Sequence, residues 1–167
     1  FLKQDKEYIA KIKLGAVSTT YDPEGEIKLT QNAEAPGRED IKKVIKKFIG
    51  EIKQVPPAFS AKKVKGKKLY ELARAGVEVK LKPVSLAVYN IELLNYDWPF
   101  LEIKIKCSSG TYIRSLARDI GESLGCGGYL EELCRTKIGE FSLSDALEIP
   151  QLNPRNWQNS LKHLALS

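Results

Sequence analysis

Between Leu101 and Cys107 apolar and charged residues alternate without a break, Leu101, Ile103, Ile105 and Cys107 against Glu102, Lys104 and Lys106. A period of two sets one apolar face on a strand, and such a face must be covered by something else. The cover is legible elsewhere in the chain. Ile41, Val44, Ile45, Phe48 and Ile49 recur at helical spacing, with Glu39 and Asp40 at the start, four lysines on the outer face and Gly50 behind. Thr111–Leu124 has the same character, with Ile113, Leu116, Ala117, Ile120 and Leu124 inward and Gly125 after it. Further strands are expected over residues 8–14 and 84–94. Short helices are expected over 69–75 and about 129–134, and Trp157, Leu161 and Leu164 repeat at helical spacing in the tail. Tyr21–Gly25, with Asp22, Pro23 and Gly25, reads as a turn, and the prolines of Val55–Ser60 exclude a helix there. Strands and helices are interspersed without a βαβ rhythm, so the expected class is α+β, with one unit over 1–149 and a helical tail over 150–167.

Composition narrows the function. Apolar residues make up 43% of the 167, and no apolar run approaches the roughly 20 residues of a membrane span, so a cytoplasmic, non-membrane protein is expected. The three cysteines form no C-x-x-C pair and His163 is the sole histidine, which leaves no metal site in the sequence and makes histidine acid–base chemistry improbable. All three thiols are expected to be buried and reduced. The net charge of +6 is uneven. From Lys42 to Lys82 thirteen basic residues face three acidic ones, while the remainder has fourteen against eighteen. That is a surface for a polyanion.

Four segments carry a more specific resemblance. Gln54–Gly76, with its Q-V-P-P-A-F-S-A-K-K opening and Y-E-L-A-R-A-G close, resembles a motif of the TruB family of tRNA pseudouridine synthases, bacterial type. Cys107–Gly121 (C-S-S-G-T-Y-I-R-S-L-A-R-D-I-G), Leu133–Phe141 (L-C-R-T-K-I-G-E-F) and Lys6-Glu7-Tyr8 with Leu14-Gly15 match three more, in the family's order.

The resemblance implies a pseudouridine synthase-like, mainly antiparallel sheet and a cofactor-free isomerisation. In it an aspartate from a G-x-L-D-P-x-A-x-G motif attacks a flipped-out uridine, whose uracil is detached, turned and rejoined through carbon. That motif belongs upstream of Tyr8 and is not in this chain. Asp22 stands in the family's T-x-T-x-D-x-x-G turn, with Ser18 and Thr19 replacing the usual Thr-Asp, and lacks the Gly-x-Leu lead-in of a nucleophile. By the same resemblance Tyr8 stacks on the target base and serves in proton removal, and Arg114 pairs with the nucleophilic aspartate, a task suited to a permanently charged fork of donors. Tyr112 and Leu133 match uridine-pocket positions and Lys63 a support beside them. Lys62, Lys65, Lys67 and Lys68 are assigned to the RNA backbone.

The function these residues imply is isomerisation of uridine-55 in the tRNA T loop, by a monomer that needs the tRNA T-stem loop and no cofactor. The isolated chain, a fragment of the catalytic domain, is expected to be inactive. A non-catalytic tRNA-binding or chaperone module, or half of a split enzyme, are the alternatives.

Overall fold

The computed structural model describes residues 2–57, 63–64, 67–68 and 82–151. Six strands form one antiparallel sheet in the order β10-β9-β1-β8-β7-β4. They are β1 (Lys6–Leu14), β4 (Gly50–Gln54), β7 (Val84–Asp97), β8 (Phe100–Cys107), β9 (Gly128–Ile138) and β10 (Phe141–Ser142). The short pairs β2 (Ala16–Ser18) with β3 (Ile27–Leu29) and β5 (Lys63–Val64) with β6 (Lys67–Lys68) stand apart as two-stranded ribbons. Among the described residues the α-helices are α1 (Arg38–Lys46) and α2 (Ile113–Ser123).

The alternation of β8 is borne out. Leu101, Ile103, Ile105 and Cys107 are each fully buried, and across the ladder they meet Ile12, Ala10, Tyr8 and Lys6 of β1. Directly opposed residues share a face, so one side of the sheet is apolar. Ile41, Val44 and Ile45 of α1 and Ile113, Leu116, Ala117 and Ile120 of α2 join these residues in one core. The other side of β1 is charged: Glu7 pairs with Lys104 at 3.3 Å and Lys11 with Glu132 at 2.9 Å. On α1, Glu39 and Asp40 hold Lys42 and Lys43 at 2.6 and 3.4 Å, so half of that lysine face is neutralised within the helix.

Several expectations need correction. The helix expected over residues 129–134 is part of β9, which follows β1 for nearly its whole length. Tyr129, Leu130, Leu133 and Cys134 are spaced as on a helix, but β1 has a free edge of backbone N–H and C=O groups, and pairing that edge outweighs local periodicity. A register shift at Lys11/Ile12 absorbs the mismatch. The strand expected over 84–94 runs on to Asp97, and the stripe of α1 ends early, with Phe48 only half-buried and Ile49 exposed. Cys107 and Cys126 are buried as expected, and burial pushes both thiols up, but Cys134 is exposed on β9. The helices expected over 69–75 and in the tail lie outside the described residues. Among the described residues no helix is long and apolar enough to cross a membrane.

Gly121 explains how closely α2 seats on β9. A Cβ there would lie 2.3 Å from the Gly128 nitrogen, so only a hydrogen fits between helix and strand.

Candidate active site

The hairpin β7–β8 and the loop Ser108–Tyr112 decide where α2 begins. β8 ends at Cys107, opposite Lys6 at the start of β1. The chain then turns back, so the first turn of α2 lies at the end of the sheet where Tyr8 sits, while its last turn reaches Gly127 and Gly128 at the far end. Tyr8 shares the helix-covered face with Ala10 and Ile12, and Leu133 and Arg135 of β9 stand opposite Ala10 and Tyr8. Ala10 is fully buried, yet Leu133 directly across from it is 46% exposed. Leu133 is thus a half-exposed apolar side chain on the strand next to Tyr8.

Tyr8 is half-buried against the core. Burial holds its phenol above the ordinary value and Cys107 adds to the rise, whereas a hydrogen bond from Arg135 works the other way. At neutral pH the hydroxyl is therefore protonated.

Tyr112 takes the N-cap position of α2, and no side chain caps the helix there. Its backbone is gripped from another element: Gln54 Oε1 accepts from Tyr112 N at 2.9 Å, and Gln54 Nε2 donates to Tyr112 O at 3.2 Å. Gln54 is 3% exposed, and Pro56 and Pro57 after it are buried. The opening of the 54–76 motif thus fixes the start of the helix that carries Arg114.

Arg114, in the first turn of α2, donates from Nη1 to Asp22 Oδ2 at 2.5 Å, with both side chains largely buried. Asp22 sits in a built turn. Its Oδ1 accepts from Thr20 Oγ1 at 2.5 Å and from Glu24 N at 3.2 Å, and its carbonyl accepts from Ser18 Oγ at 2.5 Å. Gly25 closes the turn because a Cβ there would lie 2.5 Å from both hydroxyl oxygens. The carboxylate is aimed by its own loop and then met by the guanidinium, a charge-assisted pair in a poorly hydrated place.

Tyr8 and Leu133 therefore lie on neighbouring strands, and the first turn of α2, with Tyr112 and Arg114, starts from the end of the sheet where Tyr8 sits. The sequence assigned no role to Asp22 beyond the turn, to Gln54 or to Arg135, although the D-x-x-G spacing and the glutamine two residues before Pro56-Pro57 stood in the motifs. Lys63 pairs with Lys68 across the ribbon β5–β6, and Lys67 lies in the same ribbon. Lys62 and Lys65 lie outside the described residues. Among the described residues no group of three or more His, Cys, Asp or Glu side chains could hold a metal ion.

Residues 1–113 match the model of the TruB family pseudouridylate synthase, N-terminal domain, and residues 114–166 that of the tRNA pseudouridylate synthase B C-terminal domain. The junction falls inside the first turn of α2, and β9 from the second match is hydrogen-bonded to β1 from the first. The chain is 52% identical over 147 residues to tRNA pseudouridine synthase B of Protochlamydia amoebophila, covering 88% of this chain and 55% of the relative. With that of Parabacteroides distasonis it shares 47% over 162 residues, 97% and 69% of the two chains. The chain spans about half the length of the first of these relatives. Among solved structures, a Cbf5–Nop10–Gar1 complex aligns with a TM-score of 0.67 at 27% identity, over 96% of this chain and 40% of that one. An H/ACA RNP bound to a substrate RNA containing 2'-deoxyuridine aligns with 0.61 at 25%, over 95% and 37%. With both family models matched along the chain and relatives about half identical to it, this chain belongs to the TruB family of pseudouridylate synthases.

Proposed function

We propose that this chain is the part of a tRNA pseudouridine synthase that receives the flipped uridine, the complete polypeptide isomerising uridine-55 of the T loop. The observation that carries the reading is the Arg114–Asp22 ion pair at the first turn of α2, on the sheet whose neighbouring strands carry Tyr8 and the half-exposed Leu133. An extruded pyrimidine needs an apolar platform, an aromatic face to replace its lost stacking and a fixed charge near its sugar. Leu133, Tyr8 and Arg114 have those three characters. Tyr112, whose backbone Gln54 fixes, stands at the N-cap of the helix that carries Arg114.

In this reading Arg114 keeps the nucleophilic carboxylate ionised and oriented, and Asp22 holds Arg114 ready for it. Tyr8 stacks on the base. A phenol whose proton is held tightly is a poor resting base, so removal of the proton from carbon depends on help, and Arg135 is the cation beside it. Lys63 supports the pocket, and Lys62, Lys65, Lys67 and Lys68 hold phosphates of a tRNA bound by a monomer in the cytoplasm. No cofactor enters the scheme.

The test is release of tritium from 5-tritiated uridine tRNA. The complete polypeptide should release it and this chain alone should not. Release by the isolated chain would move the nucleophile to Asp22. Salt-sensitive tRNA binding by a complete polypeptide that releases nothing would favour the binding-module reading instead.

A further inference from the structure

The segment that presents Asp22 is held by a contact for which the chemistry of the reaction has no use. Tyr21 has a φ of 66°, a left-handed conformation that a bulky residue rarely adopts. Its N–H donates to Ser18 O at 3.1 Å and its carbonyl accepts from Leu130 N of β9 at 3.0 Å. Its ring lies against the Arg118 guanidinium, 4.5 Å from carbon to centroid. Arg118 is one helical turn beyond Arg114, so one stripe of α2 takes hold of two consecutive residues. Arg114 grips the carboxylate of Asp22, and Arg118 covers the ring of Tyr21. Arg118 is itself held in place, by Asp119 Oδ1 at 2.8 and 2.5 Å and by Glu122 at 3.8 Å.

We infer that the Tyr21–Arg118 stack is a positioning device for the active site, which holds the left-handed turn that aims Asp22 at Arg114. The inference rests on the proposed function, because it concerns the same guanidinium. A backbone conformation disfavoured for the residue that adopts it persists only where its surroundings over-determine it, and such sites concentrate where geometry matters to chemistry. Here the surroundings are Arg118 on one side and β9 on the other. Neither Tyr21 nor Arg118 is assigned a contact with substrate. Both act through Asp22, so their loss should appear in the rate of the chemical step and not in the capture of tRNA.

The experiment uses the complete polypeptide, with single-turnover pseudouridine formation, tRNA dissociation constants and thermal melting measured side by side. Arg118→Ala is expected to slow the single turnover by roughly tenfold while tRNA affinity and melting stay close to the parent. Arg118→Lys, which keeps a cation over the ring, and Tyr21→Phe, which keeps the ring, should recover most of the rate. Adding Arg118→Ala to Asp22→Asn should cost less than about twofold more, since both act on one element. An Arg118→Ala enzyme at the parent rate, or losses that multiply in the double variant, would overturn the inference alone. If Arg118→Ala does not fold, Tyr21→Leu at the parent rate overturns it and Tyr21→Leu slowed with tRNA affinity kept supports it. A complete polypeptide that makes no pseudouridine at all overturns the proposed function, and this inference with it.

Discussion

Arg114 and Asp22 are 92 residues apart in the chain, yet Nη1 of one lies 2.5 Å from Oδ2 of the other. The pair joins the turn after β2 to the first turn of α2. Because Asp22 Oδ1 is already bound by Thr20 and Glu24, the carboxylate has little freedom to turn away.

Asp22→Asn keeps the shape of the turn and removes the charge. In the complete polypeptide it is expected to lower the single-turnover rate by roughly a hundredfold, with tRNA affinity changed by less than about threefold. Quenched-flow pseudouridine assays and filter binding would check both numbers. An equal loss in binding and in rate would place Asp22 on the RNA-binding surface instead.

Tyr8 and Arg135 should be separable by pH. Arg135 works against the burial that raises the Tyr8 phenol, so Arg135→Gln should raise it further. If Tyr8 acts through its ionised form, the rising limb of the single-turnover pH–rate profile moves to higher pH in Arg135→Gln and is lost in Tyr8→Phe. A profile unchanged in both variants would confine Tyr8 to stacking.

Alkaline stability follows from Tyr129. Burial, reinforced by a hydrogen bond to Glu131, pushes its phenol up to about 12. The folded state therefore holds this proton more tightly than the unfolded chain, and the stability it contributes is complete below about pH 10. It is lost as pH rises from about 10 to 12, by at most roughly 3 kcal/mol. Melting temperatures across that range should fall steeply for the parent protein and less steeply for Tyr129→Phe.

The close seat of α2 can be tested at Gly121. A methyl group there would lie 2.3 Å from backbone nitrogen, which cannot move aside as a flexible side chain would. Gly121→Ala is expected to destabilise the fold by about 1–3 kcal/mol or more, measured by chemical denaturation. Unchanged stability would mean that helix and strand can separate without cost.

The basic stretch makes a prediction about binding alone. Replacing Lys62, Lys63, Lys65, Lys67 and Lys68 by glutamine should weaken tRNA binding and flatten its salt dependence between about 50 and 200 mM salt. The same slope in both proteins would place the phosphate contacts elsewhere.

Much of this molecule is written in short-range pattern. The period of two in Leu101–Cys107 and the helical stripes of Ile41–Ile45 and Ile113–Ile120 require only that apolar side chains leave water, so they specify strand, helices and their buried faces locally. The motifs likewise single out Tyr8, Tyr112, Arg114 and Leu133 from local sequence alone. Tertiary structure decided what depends on partners distant in sequence. Tyr129–Cys134 became strand because β1 offered it an unpaired edge, and Leu133 on that strand remained half exposed although Ala10 across from it is fully buried. Asp22 faces Arg114 because a turn closed by Gly25 meets the first turn of α2, whose start Gln54 fixes from β4. Periodicity records which side of an element is dry. Which two charged groups then meet across the chain is settled only when the elements pack.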